Sequence, residues 1–303
     1  MTLQPSALMP SPCIGVCRMD ERSGLCLGCA RSGEEIAVWR QLGEAERRRI
    51  WAGLPTRFER LGLKLARLPW TEAEMRDFVR EKLQRREGSW AVGCYGAVAE
   101  FRVAPGEACD LDVAEGGVTA RSAQGALRLG IGPAVRVLAL YETPGASEPR
   151  ALVFALARQR AALPVAGGLA SLGPDRRAIE PPERQQPLYD LGIGRGTMRF
   201  CIRTGNPALM AVLNAAKGLP WPDYLPAVGG AILKESPVRV VESALARAEI
   251  RTPIPPPGTS SIAGPHTHLL PELLALGHEV APGVDLPAAF AAGAIFYPEP
   301  PAD

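Results

Sequence analysis

The sequence predicts an α+β protein: a small all-helical module built on four cysteines, residues 1–68, followed by a larger domain, residues 69–303, with a mainly antiparallel sheet. Three observations carry this. Cys13, Cys17, Cys26 and Cys29 fall close together as C-x3-C-x8-C-x2-C. Helical apolar spacing then runs from Ser32 to about residue 86. Beyond Gly88 the texture changes to short apolar runs broken by glycine and proline, which are strand signals with few helices among them.

Four thiolates this close repel one another unless a cation sits between them, and four cysteines are the ligand set of structural zinc or of an iron-sulfur cluster. Disulfides are the competing use. Residues 1–12, MTLQPSALMPSP, have no basic start and no apolar core of signal-peptide length, and no later stretch is apolar enough to span a membrane. The expected setting is therefore cytoplasmic, where clustered cysteines bind metal rather than pair. Cys26-Leu27-Gly28-Cys29 has the spacing and glycine of a zinc knuckle, while the Cys13 to Cys17 gap is one residue wider. Spacing alone leaves zinc and the cluster open.

After the cysteines, Ser32 with Glu35 makes a capping box, and Ile36, Trp39 and Leu42 follow at helical spacing. A second helix begins past Gly43, with Ala45, Ile50, Trp51 and Leu54 on its apolar side and Arg47-Arg48-Arg49 on its wet side; Pro55 is expected to end or kink it. A third segment starts near Thr56. Helices this few are too small to be stable without the metal.

The run from Ser11 to Arg57 resembles the short bacterial family catalogued as domain of unknown function 1289 and described as predicted iron-sulfur proteins. The residues that carry the likeness are Ser11-Pro12-Cys13, Cys17, Cys26-Leu27-Gly28-Cys29, Arg31, Glu35-Ile36, Trp39 and Glu46-Arg47. Gly43 departs from the pattern, since the family tends to place a capping serine there. The resemblance implies an iron-sulfur cluster as cofactor, with zinc as the alternative, on Cys13, Cys17, Cys26 and Cys29.

In the larger domain Thr71 with Glu74 predicts a helix over residues 72–86. Residues 90–103, 126–129, 135–141, 151–157 and 198–203 read as strands, Pro207 to Lys217 as a helix capped by Asn206, residues 238–254 as a hairpin, and His268 to Leu276 as a helix. The Gly167-Gly168 and Gly229-Gly230 pairs read as turns, and Gly192, Gly194 and Gly196 do not make a nucleotide loop because a strand pattern follows them. Asp110, Asp112 and Glu115 read as a solvated turn without the glycine and glutamate of a calcium loop. Cys94, Cys109 and Cys201 lie in or beside apolar runs as buried thiols. Net charge is only +2, and the basic run of the second helix has flanking glutamates and no aromatic ladder, which weighs against nucleic acid as a partner.

All three histidines lie in GPHTHLLPELLALGHE. In an extended stretch His266 and His268 share a face, the way two ligands approach a metal; capping a helix start is the competing role. The run Pro253 to Pro257 before them is semi-rigid polyproline. The region from about residue 90 also resembles a second uncharacterised bacterial family with a GPHTHLLP segment. Two functions follow. In the first, the cysteine module binds its metal ion or cluster in a structural, redox-sensing or adaptor role, with a protein as partner. In the second, the large domain is an enzyme, a hydrolase, using His266 and His268 with an acidic residue the sequence does not identify.

Overall fold

Segments whose side chains alternate in burial pair into two sheets, in a computed structural model that describes residues 9–164, 166–256 and 264–298. The start of the chain before Met9 and Pro257 of the polyproline run lie outside the described residues. The cysteine loop leads into α1 (Gly33–Val38) and α2 (Glu44–Arg60), then a short strand β1 (Leu65–Arg67) and α3 (Glu72–Arg85). Strands β2 (Ser89–Cys94), β3 (Ala97–Phe101), β4 (Asp110–Ala114), β5 (Gly117–Arg121), β6 (Gly125–Gly130), β7 (Arg136–Leu140) and β8 (Ala151–Ala157) follow. After them come β9 (Ala170–Pro174), β10 (Pro187–Asp190), β11 (Met198–Arg203), α4 (Pro207–Ala215) and α5 (Trp221–Glu235). The hairpin β12 (Val238–Ser243) and β13 (Ala246–Ile250), then β14 (His266–Leu269), α6 (Pro271–Ala275) and β15 (Phe290–Tyr297) complete the order.

One sheet has seven strands in the order β1-β7-β8-β15-β2-β3-β14, the other eight in the order β4-β5-β6-β13-β12-β11-β10-β9. Every pairing is antiparallel, so the fold is mixed α+β with antiparallel sheets. The sheets face each other, with β12 and β13 against β2 and β3. Between them lies one core: Trp90, Val92 and Phe101 from the first sheet meet Phe200, Val241 and Ala248 from the second. Trp90 sits 4.8 Å from Phe296 and 5.5 Å from Phe154 by ring centroids, an aromatic cluster that α3 closes with Met75, Val79 and Leu83 at four-residue spacing.

The outer face of the eight-stranded sheet is ionic. Arg199, Glu242 and Arg247 lie directly across from one another on β11, β12 and β13, with Glu249 two residues beyond Arg247 and Arg203 four beyond Arg199 on the same face. Asp175 and Glu183, from the segment that covers this face, complete the set. Arg203 reaches Asp175 and Glu249 at 2.8 Å each, Arg247 reaches Glu242 at 2.8 Å and Glu249 at 2.7 Å, and both also pair more closely, Arg203 with Glu183 and Arg247 with Asp175. Such a set is sound only when each charge is matched.

Several expectations change. Helix α2 runs through Pro55 to Arg60 instead of stopping there, so no separate third segment begins at Thr56. Arg47 leaves the wet face: it is buried, donates to the carbonyls of Leu42, Met9 and Arg40, and lies over the Trp39 ring. Residues 13–32 are not helical but a loop with two antiparallel bridges, Met19 to Cys26 and Leu25 to Ser32, and Leu65–Arg67 joins the large sheet as its edge strand. Gly229 and Gly230 lie inside α5, which buries Tyr224 and Val228 four residues apart; tertiary packing overrides the poor helix propensity of glycine. Asp110 and Asp112 sit on the exposed edge strand β4, facing Arg121, and Glu115 lies in the following turn. The helix expected from His268 begins only at Pro271, because His266 to Leu269 pairs with β3.

Candidate metal centres

The antiparallel register of β3 and β14 places His266 across from Glu100 and His268 across from Val98. Both histidines therefore share the outward face of the seven-stranded sheet with Glu100 and Val98, while Ala97, Ala99 and Phe101 of the same strand point into the core. His266 Nε2 lies 2.8 Å from His268 Nε2 and 3.3 Å from Glu100 Oε2. Neighbouring ligands on one ion with bonds of about 2.0–2.1 Å stand about 3.3 Å apart in tetrahedral geometry. Among the described residues these three form the only group of three or more His, Cys, Asp or Glu side chains whose ligand atoms all lie within 4.8 Å of one another.

His266 Nδ1 is 3.0 Å from the Gly264 carbonyl, a contact that requires the proton on Nδ1 and leaves Nε2 with its lone pair in the neutral ring. That lone pair can accept from His268 Nε2–H at 2.8 Å, or Nε2 can carry a proton or hold a metal ion shared with the Glu100 carboxylate 3.3 Å away. The side chains are 11% and 12% exposed for His266 and Glu100. Burial works against charge on both, but their mutual hydrogen bond outweighs it, so the Glu100 carboxyl sits below and the His266 imidazolium above its ordinary value.

The three ligands open onto a cavity of about 560 Å³ walled by Val98, Leu270, Leu273, Val280, Ile295 and Tyr297, with Arg102 at its edge. Its roof is α6 and the segment around Val280. The β2–β3 hairpin holds that roof: Gly96 has φ of +89°, its carbonyl accepts from Leu270 N–H at 2.8 Å, and a Cβ there would lie 2.5 Å from Leu274 N. Only glycine fits this approach. His278 lies away from the pair, with its ring 6.2 Å from Tyr95.

The cysteine loop is built differently. Cys26 and Cys29 are buried, Cys13 half-buried and Cys17 exposed. Backbone N–H groups of Gly15 and Gly28 donate to Cys13 and Cys26 sulfur at 3.3 and 3.4 Å, and Arg31 Nε donates to Cys29 sulfur at 3.4 Å, while the Cys26 thiol donates to the Val16 carbonyl at 3.1 Å. Donors aimed at three of the four sulfurs fit thiolate ligation. Gly28 is required for contact, since a Cβ would lie 2.5 Å from the Val16 oxygen. Cys13 beside it raises the Cys17 thiol, and burial raises Cys29, so neither favours the thiolate on its own.

Around the loop, Arg31 lies 4.7 Å over the Trp39 ring, and Glu35 both caps α1 and binds Arg57 at 2.6 Å. These contacts explain why arginine, glutamate and tryptophan accompany the cysteines. Gly43 caps α2 without a side chain, and Glu46 accepts its N–H at 3.1 Å. Ile14 and Val16, between the first two cysteines, pack on the outer face of the seven-stranded sheet with Val153, Val284 and Ile295. Cys94, Cys109 and Cys201 stand apart, and burial raises all three thiols.

Glu100 is the carboxylate that the structure places beside His266 and His268, and the sequence did not identify it. Its signal was a lone carboxylate in the otherwise apolar run Ala97-Val98-Ala99-Glu100-Phe101, but only the pairing of β3 with β14 shows its partners.

Fold and sites together define a class: an antiparallel two-sheet α+β domain preceded by a four-cysteine segment. Residues 74–303 match the family described as Family of unknown function (DUF6925), and the chain belongs to that family. Residues 11–58 match the family described as Protein of unknown function (DUF1289). Relatives include the uncharacterized protein YdhL of Escherichia coli (strain K12) and its counterparts in Shigella flexneri and Escherichia coli O6:H1, each 42% identical over 40 residues. Those residues are 13% of this chain and 49% of each relative, so the match spans about half the length of these curated proteins. No solved structure matches the chain. Among the described residues no helix is long and apolar enough to cross a membrane.

Proposed function

We propose that the large domain is a metal-dependent enzyme, hydrolytic in class, with one divalent transition-metal ion on Glu100, His266 and His268. The observation that carries this is the convergence of two imidazoles and a carboxylate, their ligand atoms within 4.8 Å of one another, on the wall of a cavity. Two histidines and a carboxylate leave open positions, here toward the cavity, and an ion so held lowers the pKa of a bound water to the neutral range. The Gly264 carbonyl supports the reading by fixing the His266 tautomer.

Metal analysis and zinc titration of the full chain test it. One equivalent per chain is expected at this centre, lost in His266→Ala, His268→Ala and Glu100→Gln; unchanged metal content in all three overturns the reading.

The cysteine segment is the second part of the proposal. Residues 1–68 act as a small unit organised by an iron-sulfur cluster, or by zinc, on Cys13, Cys17, Cys26 and Cys29, in a structural or redox-sensing role and a cytoplasmic setting. Its support is the ligand set and the N–H donors on three sulfurs. Protein purified without oxygen is expected to carry iron and sulfide with visible absorbance that Cys26→Ser abolishes; colourless protein with one zinc in this segment identifies zinc instead.

A further inference from the structure

Several charged side chains of the large domain carry no ion pair, and one of them lines the proposed centre. Arg102 lies two residues beyond Glu100 on the same outward face, lines the 560 Å³ cavity, and makes no hydrogen bond or ion pair to any described residue. Its Nε is sealed from solvent without a partner. It is near enough to Glu100 and His266 for its charge to be felt by both, yet it does not bridge to the carboxylate, which is engaged by His266. A buried Nε without a partner carries a desolvation cost that an acceptor would relieve, and the planar fork of arginine matches a carboxylate or phosphate with two parallel bonds. The remaining wall is aliphatic: Val98, Leu270, Leu273, Val280 and Ile295.

We infer that this cavity takes an organic anion, a carboxylate or phosphate ester, whose charged end pairs with Arg102 while its apolar body lies along Leu273, Val280 and Ile295. Arg102 is a binding and specificity residue for that end. The metal reading of Glu100, His266 and His268 enters only in placing the ligand's other end at the ion; the selection for negative charge stands without it.

Equilibrium dialysis of the full chain, metal-free and zinc-loaded, against labelled phenyl phosphate, phenylacetate and the neutral phenylacetamide tests this. At least one anion is expected to bind about ten-fold or more tightly than the amide in both forms, and the ester and carboxylate arms show which group the site prefers. Arg102→Gln is expected to remove the preference and Arg102→Lys to restore part of it. Equal binding of amide and both anions by the unaltered protein overturns the inference without any variant, as does a preference that survives Arg102→Gln. If zinc fails to bind the triad while the anion preference persists, the metal reading falls and this one stands.

Discussion

The cysteine loop and the sheet-borne triad both gather ligand atoms, but by opposite means. In the loop, residues 13–32 are bent by turns and two isolated bridges, one sulfur stays exposed, and the thiols discourage each other's ionisation. In the triad, backbone register alone brings residue 100 opposite residue 266, and the side chains meet at 2.8 and 3.3 Å. On the proposed reading, one centre is organised by what it binds and the other before it binds. Metal removal should therefore have different structural consequences in the two regions.

The largest effect expected is on the loop. Cys26→Ser, or a chelator acting on the native chain, should abolish its metal binding and loosen residues 9–61, read as lost amide-exchange protection there, with strands β2, β3 and β14 still protected; equal loss in both regions breaks the contrast. Next is the ionic face. Arg247→Ala leaves Asp175, Glu242 and Glu249 short of a partner, and denaturant unfolding should show a loss of about 3–5 kcal/mol with the loop's metal content unchanged.

Acid should act on the same network. Burial alone would push the Glu249 carboxyl up, but the hydrogen bond from Arg203 and the charge of Arg247 outweigh it and hold it at about 2 against an ordinary 4.5. A carboxylate with a depressed native value stabilises the fold fully above its unfolded value and loses that contribution as pH falls through the native one. Roughly 3 kcal/mol should thus disappear between about pH 4.5 and 2, measured as a falling denaturant midpoint; a flat profile there places the network's strength elsewhere. The smallest effect belongs to the junction between the regions. Thr71→Ala removes the cap of α3, where Thr71 Oγ1 accepts the Glu74 N–H at 3.2 Å, and should cost about 1 kcal/mol without altering either centre.

What the sequence disclosed follows the same division. The cysteine cluster, the caps at Ser32, Thr71 and Asn206, and the strands at residues 126–129, 151–157 and 198–203 rest on neighbours in the chain, and α1, α3, α4, β6, β8 and β11 appear where those signals fall. His266 and His268 shared a face by simple alternation. Glu100 did not announce itself, because its role depends on a partner 166 positions away. Helix α5 was hidden by two glycines and two prolines that only packing through Tyr224 and Val228 makes tolerable. Arg47 looked like one of three solvated arginines until Trp39 and three carbonyls enclosed it.

The ionic face of the eight-stranded sheet has a thermal meaning as well. Hydration of charged groups becomes less favourable on heating, so the cost of keeping Arg203, Arg247, Asp175, Glu242 and Glu249 out of water shrinks as temperature rises, while hydrophobic stabilisation per unit area levels off. Near room temperature this assembly is a modest asset that must be complete to be tolerated. Close to the melting point it carries a growing share of the holding force, and the second sheet should be the last part of the molecule to give way.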